Sequence, residues 1–448
     1  MNVDLTTVHQ TIDGFGVTHY QPIAYASSFG SVADFLWRPD IGIGLSIYNT
    51  AIVADGSGNG WPMYFDPSWN GNDVIGDFSQ ELAAYQRGVR KFSARCWSAQ
   101  MDPGPYTWQT GGSATGSLIS SDYAAFTSMY TSFLTTAWQT YGIPWTHVSQ
   151  MNEPDFTPSG YGQISWTTTQ ALNLLKNNLA SALTSWASSN PSWVSATGLA
   201  RPQVIWAETS NWANLSTWVA AVEGDSTALP EVGVYATHQY FGQGASSPPN
   251  PCSHPIWMTE CYDQAVSSWD PSMTTALNVA SYIHNALTTG NASAWLHWQS
   301  DQQIATDNQA LLGTTATPVA NNRSLYDNPT FPKRAYVLGH WSKLVRPGWH
   351  RVDVTSMPTG ILATAFASPD STQLAIVMVN NTGSPIAVSP TLTGGGVNYT
   401  LQTWTTDATR SLLASSVTST TGALSSISVP ANGLVTVNQT FARGLGPE

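Results

Sequence analysis

The chain has 448 residues, of which 42% are hydrophobic and only 9% are charged. This composition supports a large core and excludes global disorder. The net charge is −12 and lysine plus arginine total only 15, so no basic stripe is present to bind nucleic acid or an anionic membrane. No apolar run reaches the roughly 20 residues that span a bilayer. Met1 is not followed by a basic, apolar leader. Together with the polar, weakly charged composition, this leads us to expect a mature, secreted, extracellular protein.

Eight β-branched or aromatic runs predict strands in the first two thirds of the chain. They are Ile12–Val17, Ile41–Tyr48, Val89–Trp97, Trp145–Met151, Gln203–Ala207, Val232–Gln239, Ile256–Thr259 and Ala292–Gln299. Apolar residues at helical spacing occur in four further segments, some of them between these strands. These are Tyr123–Tyr141, Thr167–Trp186, Met273–Leu287 and Arg334–Val345. Alternating strands and helices predict an α/β fold, a closed (β/α)8 TIM barrel over residues 10–345.

After about Arg346 the pattern changes to short strand-like runs separated by turn residues, without helical periodicity. The runs are Gly360–Ala367, Gln373–Val379, Tyr399–Trp404, Ile427–Val429 and Leu434–Val437. This pattern is typical of an antiparallel β-sandwich. We therefore predict a fused side β-sandwich domain over residues 346–448, to which residues 1–9 add a strand.

Three cysteines, Cys96, Cys252 and Cys261, are too few for a disulfide framework, and none has zinc-site spacing relative to histidine. Cys252 and Cys261 flank a predicted strand, so a disulfide between them stays open at this point. Cys96 is expected to be a buried free thiol. The sequence predicts no metal and no cofactor.

Glutamate is scarce, and its placement is informative. Of only seven glutamates, Glu153, Glu208 and Glu260 follow the fourth, fifth and seventh predicted strands. Active sites of (β/α)8 barrels lie at the carboxyl ends of the strands. Two carboxylates across such a cleft are what glycosidic bond cleavage requires. The alternatives are that Asn152-Glu153-Pro154 is only a turn and that Glu260 is a loop carboxylate.

Several segments together resemble glycoside hydrolase family 30. They are Gln10–Val17, Arg95–Gln100, Gln150–Asp155, Trp206–Ser210, Thr237–Tyr240, Trp257–Tyr262 and Pro332–Pro347. The resemblance implies a retaining β-glycanase in which Glu153 is the acid/base and Glu260 is the nucleophile. It also implies that Asn152 hydrogen-bonds the sugar 2-hydroxyl and that Tyr240 lies beside Glu260.

The sequence departs from the family pattern in one place. Members usually carry arginine near the end of the second strand, where Gly44–Asn49 of this chain has Asn49 instead. We therefore expect a fixed positive charge near the nucleophile to be missing.

Further side chains are candidates for substrate binding. Trp97, Trp212 and Trp298 fall at predicted rim positions, where indole rings stack on the apolar faces of sugars. Tyr262 and His238 lie beside them, although His238 is alternatively a satisfied buried histidine. Glu208 either contacts substrate or holds a neighbouring side chain.

These observations favour a monomeric endo-acting hydrolase of β-1,4-xylan, with a polysaccharide as its partner. The xylan prediction follows from segments that are most similar to the xylanase branch of the family. A β-1,6-galactanase, a β-1,6-glucanase and an exo-acting xylan hydrolase remain alternatives. A catalytically silent carbohydrate-binding barrel and a structural surface protein are the non-enzyme alternatives. The loops at Tyr262–Pro271 and Ser300–Asn328 are expected to decide the substrate.

Overall fold

A computed structural model gives the fold of the chain. It describes residues 1–19, 29–55, 57–65, 73–100, 106–159, 161–242, 244–303, 308–314, 329–394, 398–422 and 424–441. Much of the loop expected to set the substrate, residues 304–307 and 315–328, lies outside these ranges. The described part forms a closed eight-stranded parallel barrel with helices around it and a separate β-sheet region. The predicted fold class is confirmed.

The elements are numbered in chain order over the described residues. The strands are β1 (Asn2–Thr11), β2 (Gly14–His19), β3 (Ile47–Ala54), β4 (Gly60–Phe65), β5 (Asp73–Ile75), β6 (Lys91–Gln100), β7 (His147–Ser149), β8 (Gln203–Thr209), β9 (Val232–His238), β10 (Ile256–Glu260), β11 (Ala294–Trp298), β12 (Asp301–Gln303), β13 (Leu312–Thr314), β14 (His350–Thr355), β15 (Ile361–Ala367), β16 (Gln373–Asn380), β17 (Ile386–Val388), β18 (Thr391–Thr393), β19 (Asn398–Thr406), β20 (Leu413–Ala414), β21 (Thr418–Thr421), β22 (Ile427–Val429) and β23 (Gly433–Phe441). The helices are α1 (Phe29–Trp37), α2 (Ser79–Gln86), α3 (Tyr123–Thr135), α4 (Thr168–Leu174), α5 (Ala180–Ser188), α6 (Pro191–Thr197), α7 (Trp212–Glu223), α8 (Met273–Thr288) and α9 (Lys333–Ser342). None of these helices is both long and apolar enough to cross a membrane.

The barrel closes because its first and last strands pair. The neighbour order is β2, β3, β6, β7, β8, β9, β10 and β11, and β11 pairs in parallel with β2. Ile47, Ile205, Val234, Trp257 and Leu296 form a buried cluster contributed by five of these strands. Such branched and bulky side chains fill the interior of a (β/α)8 barrel. The packed interior fixes the strand ends, and the site is built on those ends.

The second barrel strand begins later than the sequence predicts. The run Ile41–Tyr48 was expected to be extended, but β3 starts only at Ile47. Gly44 adopts a φ of +63°, a left-handed conformation that a strand does not use. Residues 41–46 therefore turn the chain into the strand, and Asn49 lies within β3 instead of at its end.

The side sheet packs on the barrel with one face and carries its own small core on the other. Its nine strands run in the order β18, β1, β14, β15, β16, β23, β19 and β20, and β21 also pairs with β19. Phe366 and Val377 belong to the same hydrophobic core as the barrel helices. Ile376 and Met378, which alternate with Val377 along β16, join the separate core of the sheet.

Helix α9 connects the barrel to the side sheet through buried polar contacts. His340 is fully buried, and its Nδ1 lies 2.7 Å from Thr436 Oγ1. Its Nε2 lies 2.8 Å from Thr406 Oγ1, and the indole N–H of Trp341 donates to Thr364 over 3.1 Å. These contacts tie α9 to three strands of the sheet.

All three cysteines are free, and Cys96 is buried as expected. The possible disulfide between Cys252 and Cys261 is therefore excluded. The two residues lie on either side of β10, a strand of five residues, whose extended length of about 16 Å far exceeds the Cα separation of a disulfide.

Candidate active site

Glu153 and Glu260 reach the mouth of the barrel from two different strands. Glu260 is the last residue of β10, and Glu153 follows β7 by four residues. The Glu153 N–H donates to the carbonyl of Glu208 over 2.9 Å. Glu153 and Glu208 have φ values of +39° and +48°, a conformation that costs about 1–3 kcal/mol for residues other than glycine. Such strain is concentrated at functional sites, and here it occurs at Glu153 and Glu208, two carboxylate residues at the mouth of the barrel.

The two carboxylates face each other. One oxygen of Glu153, one of Glu260 and a ring nitrogen of His238 all lie within 4.8 Å of one another. The exposed fractions of Glu153 and Glu260 are only 4% and 6%. Carboxyl groups about 5–5.5 Å apart suit a retaining glycosidase, whereas inverting enzymes hold them about 6.5–9.5 Å apart. One oxygen of each carboxylate thus approaches the other within 4.8 Å, a close approach that favours the retaining arrangement.

Arg95 supplies a positive charge at the centre of the site. It lies in β6, is 1% exposed, and its Nη2 donates to Glu260 Oε2. Its Nη1 lies 3.4 Å from Glu208 Oε2 and 3.0 Å from His238 Nε2. One guanidinium thus bridges the nucleophile candidate and the buried network beneath it.

His238 and Glu208 form that network. His238 is fully buried, with Nδ1 3.0 Å from Glu153 Oε1 and Nε2 3.3 Å from Glu208 Oε2. Glu208 also accepts a hydrogen bond from the Thr259 hydroxyl. Glu208 is held by side chains and is not among the residues that line the cavity. Of its two expected roles, the arrangement matches the one in which it holds its neighbours.

Burial and the charges of the cluster shift the pKa values of its members. Burial alone would lower the pKa of His238, but the charges of Glu260, Glu153 and Glu208 raise it to about 9. Burial and the charge of Glu153 raise the pKa of Glu260, although Arg95 opposes them. Burial also raises the pKa of Glu153, but its contacts with His238 lower it overall. In the free cleft the pKa of Glu260 is therefore raised and that of Glu153 is lowered, and groups that interact this closely titrate as a pair.

The same three groups do not favour a metal ion, although they lie close enough together to bind one. His238 donates its Nδ1–H to Glu153, and Arg95 already contacts Glu260. A cation at this position would have to displace both contacts.

Two tyrosines orient the carboxylates. The Tyr240 hydroxyl donates to Glu260 Oε1 over 2.9 Å, and the Tyr161 hydroxyl donates to Glu153 Oε2 over 2.9 Å. A hydrogen bond to the ionised form lowers the pKa of a carboxyl group. Each glutamate therefore has one oxygen fixed by a phenol.

Asn152 is oriented by Gln163. The Asn152 amide donates to Gln163 Oε1 over 3.0 Å, and Gln163 donates in turn to the Glu153 carbonyl over 2.8 Å. Among the described residues, no donor reaches Asn152 Oδ1, although it is buried. A buried acceptor next to two carboxylates is suited to a sugar hydroxyl.

A cavity of about 320 Å³ lies over the two glutamates. It falls within the range of small-ligand pockets, about 300–1,000 Å³. The rings of Trp97 and Trp298 pack 5.3 Å apart in its wall, and Tyr240 and Tyr262 also line it. Trp212 does not, which corrects the expectation for that residue. As the first residue of α7 it points into the hydrophobic core.

The chain is similar to known proteins over most of its length, although no family model matches it. It is 23% identical to the glucuronoxylanase XynC of Bacillus subtilis over 327 residues, which cover 70% of this chain and 66% of the relative. A match to a second XynC sequence from Bacillus subtilis covers only 53% of that relative. The match therefore spans less than two thirds of the length of these curated relatives.

Solved structures match almost end to end. The family 30 subfamily 8 xylanase Xyn30A of Clostridium acetobutylicum superposes with a TM-score of 0.73 at 22% identity, covering 98% of this chain and 99% of the other. The catalytic domain of xylanase C of Talaromyces cellulolyticus, also from family 30, gives a TM-score of 0.75 at 22% identity with the same coverage.

The resemblance to glycoside hydrolase family 30 is confirmed. The chain has the family 30 fold over both its barrel and its side sheet.

One expectation based on the family 30 pattern is wrong. The positive charge expected to be missing is present, because Arg95 of the third barrel strand provides it. Asn49 instead donates to Thr18 Oγ1 over 3.0 Å and accepts from Ser93 over 2.7 Å. Ser93 pairs with Asn49 across the two strands, and Arg95 lies two residues further along on the same face. The charge therefore reaches the site from the neighbouring strand.

Sequence reasoning missed several residues of this site. Phe156, Tyr161 and Gln163 lie on the loop after β7, where no periodicity marks them. The sequence placed Arg95 in a strand, but its contact with a glutamate 165 positions away leaves no local signal. The one usable signal was an arginine inside a predicted buried strand of a chain with few charged residues, because a buried arginine requires a carboxylate partner.

Proposed function

We propose that the chain is a retaining glycoside hydrolase that cleaves β-1,4-xylan internally. The observation that carries the proposal is the approach of the Glu153 and Glu260 carboxylates within 4.8 Å at the mouth of the barrel. The xylan substrate is supported by the names of the similar proteins, which are a glucuronoxylanase and two family 30 xylanases.

The reaction has two displacements. Glu260 attacks the anomeric carbon while Glu153 transfers its proton to the glycosidic oxygen, so the C–O bond to the leaving sugar breaks and a glycosyl-enzyme forms. Glu153, now ionised, takes a proton from water, and the resulting oxygen nucleophile displaces Glu260. Configuration at the anomeric carbon is retained because it inverts twice.

The neighbours of Glu260 assist by holding both of its oxygens. Arg95 contacts Oε2 and Tyr240 contacts Oε1, so the nucleophile is fixed before substrate arrives. Asn152 Oδ1, a buried acceptor, accepts a hydrogen bond from the 2-hydroxyl of the sugar under attack, and this bond strengthens in the transition state. The proton must lie on Glu153 when the leaving sugar departs, although in the free cleft the pKa of Glu153 is lowered by His238 and that of Glu260 is raised by burial.

The setting follows from the substrate. A xylan hydrolase acts on a polymer too large to enter a cell, so we propose that the protein is secreted and works extracellularly. We also propose that it acts as a monomer, with the polysaccharide as its partner.

The proposal is tested by a product profile of the purified protein. The panel contains glucuronoxylan, arabinoxylan, β-1,6-galactan, β-1,6-glucan and β-1,4-glucan. Oligosaccharide ladders from the xylans alone are expected. Release from a β-1,6-linked polymer would overturn the substrate while keeping the two carboxylates, and release of only xylose would indicate exo action.

The roles of the two glutamates are tested by azide rescue. Glu260→Ala and Glu153→Ala should each lose at least about a thousandfold in kcat/KM on xylan. With an activated aryl xylobioside and azide, Glu260→Ala should give the α-glycosyl azide, because azide takes the place of the nucleophile. Glu153→Ala should give the β-azide, because azide attacks the glycosyl-enzyme from the opposite face. The reverse pattern would exchange the two roles.

A further inference from the structure

We propose that Phe156 and Phe241 form a platform that binds the sugar on the leaving-group side of the scissile bond. The inference rests on the proposed function and extends it. The two ring centroids lie 5.3 Å apart with an interplanar angle of 42°. Both rings line the cavity over Glu153 and Glu260. We refer to Phe156 and Phe241 together as the phenylalanine platform.

The exposure of these rings is unusual for the molecule. Phe156 is 36% and Phe241 is 58% exposed. Among the described residues, the clearly exposed large hydrophobic side chains include three aromatic ones, Phe156, Tyr161 and Phe241, and all three line this cavity. Exposed apolar surface concentrated at one cleft marks a ligand site more often than chance exposure does.

The backbone holds the platform in place. Phe241 has a φ of +54°, a left-handed conformation that is unfavourable for a bulky residue, and its N–H donates to Gln264 Oε1 over 3.2 Å. The Phe156 N–H donates to the Glu153 carbonyl over 2.9 Å. The backbone that carries each ring is thereby held beside Glu153 or beside the loop that follows Glu260.

The position of the platform identifies the sugar it binds. Trp97 lies near the end of β6, and Trp298 is the last residue of β11. Together they form a wall of the cavity whose side chains are only 7–8% exposed. The Arg95 guanidinium lies 5.9 Å from the Trp97 ring. An enclosed wall suits the sugar that stays bound through both displacements. Phe156 instead follows Glu153 by three residues, and Glu153 is the group that protonates the departing oxygen. The open platform therefore suits the sugar that leaves.

The ligand is the apolar face of a neutral pyranose ring. The platform offers two phenyl faces without a hydroxyl or a charge of their own, so it recognises ring shape through stacking and exclusion of water. Polar contacts at that subsite must come from elsewhere in the cavity.

The test compares two substrates that differ only beyond the scissile bond. Xylohexaose places sugars on both sides, whereas β-xylobiosyl fluoride has a single fluoride as its leaving group. Phe241→Leu and Phe156→Leu should each lower kcat/KM on xylohexaose about five- to tenfold more than they lower it on the fluoride. Phe241→Tyr and Phe156→Tyr keep the ring and should recover most of the kcat/KM on xylohexaose that the leucine variants lose. Met357→Ala, which changes an exposed apolar residue outside the cavity, is the matched surface control.

The outcomes separate the two proposals. An equal loss on both substrates, or no loss on xylohexaose in an active protein, overturns the platform and leaves the hydrolase proposal standing. A wild-type protein that is inactive on both substrates overturns the xylan proposal itself. Turnover of the fluoride also shows that each variant is folded, so a folding defect cannot imitate the expected result.

Discussion

Arg95 shows how much one residue changes the electrostatics of the cleft. It is fully surrounded by protein and contacts Glu260 and Glu208, so its charge is only weakly screened by solvent. Its proximity lowers the pKa of Glu153, Glu208 and Glu260 against the opposing effect of burial. Without that charge, three buried carboxyl groups would have only His238 to balance them.

We predict that Arg95→Met moves the acidic limb of the kcat/KM profile to higher pH. Removing the guanidinium raises the pKa of the carboxyl pair, so a higher pH is needed to ionise Glu260, the proposed nucleophile. Activity at neutral pH should fall at least about a hundredfold. The profile is measured on an activated aryl xylobioside.

Arg95→Lys is the control for that prediction, because it keeps the charge while losing the planar fork. Its acidic limb should stay near that of the wild type even if kcat falls. An unshifted limb in Arg95→Met, with the fold intact by circular dichroism, would show that the charge does not set the ionisation of Glu260.

At the scale of elements, the strands that could be predicted from the sequence are those marked by a local pattern of apolar residues. Buried strands such as β8 and β9 are continuous β-branched and aromatic runs, and their ends locate Glu208 and His238. The hairpin β4–β5 was missed because Gly60 and Pro62 within the GWPMYF segment of β4 disfavour a strand prediction. The apolar residues before β3 predict a strand, but the chain turns there because Gly44 adopts a left-handed conformation.

The candidate site was predictable where it depends on strand ends and unpredictable where it depends on contacts between distant segments. Strand ends and scarce charge identify the two glutamates, because the topology of a barrel brings all carboxyl ends to one rim. The pairing of Arg95 with Glu260 and the approach of Phe156 to Phe241 depend on how distant loops pack. No periodicity within one segment encodes such a contact.

Helix α9 leads to a prediction about the joint between barrel and sheet. His340→Ala should lower the free energy of unfolding by about 2–4 kcal/mol, because it opens a cavity and unpairs Thr406 and Thr436 from the ring. The measurement is chemical denaturation at pH 7. His9→Ala, which changes a half-buried histidine of β1 beside Asp353, is the control and should stay within about 0.5 kcal/mol of the wild type.

The same histidine makes stability depend on pH. Burial lowers the pKa of His340 to about 3, whereas an unfolded histidine titrates near 6.5. Its contribution is therefore complete above about pH 6.5 and is lost as the pH falls toward 3. His340→Gln should lose less stability between pH 7 and 4.5 than the wild type. An equal loss in both proteins would show that other groups dominate acid unfolding.

At the scale of the whole molecule, barrel and side sheet share one hydrophobic core. Phe366 and Val377 of the sheet pack in the same buried cluster as Leu287 of α8 and Trp341 of α9. Neither part can separate without exposing this surface to water. The two regions are therefore expected to stabilise each other.

We predict that the protein unfolds in a single thermal transition. Scanning calorimetry should give one peak, and the calorimetric and van't Hoff enthalpies should agree. Val377→Asp places a charge in the shared core and should lower the midpoint without splitting the peak. Two resolved transitions in the wild type would show that barrel and sheet unfold independently.

The pairing of β1 with β14 has a consequence for biosynthesis. Val3 pairs with Val354, so the first strand leaves the ribosome some 350 residues before its partner. At about 5–20 residues per second, β1 waits roughly 20–70 s as an unpaired edge. Its sequence, NVDLTTVHQT, places Asp4, Thr6, Thr7 and His9 among only three large apolar residues. Polar residues at these positions disfavour aggregation between nascent chains translated from the same mRNA. The order of translation therefore constrains the amino-acid composition of β1.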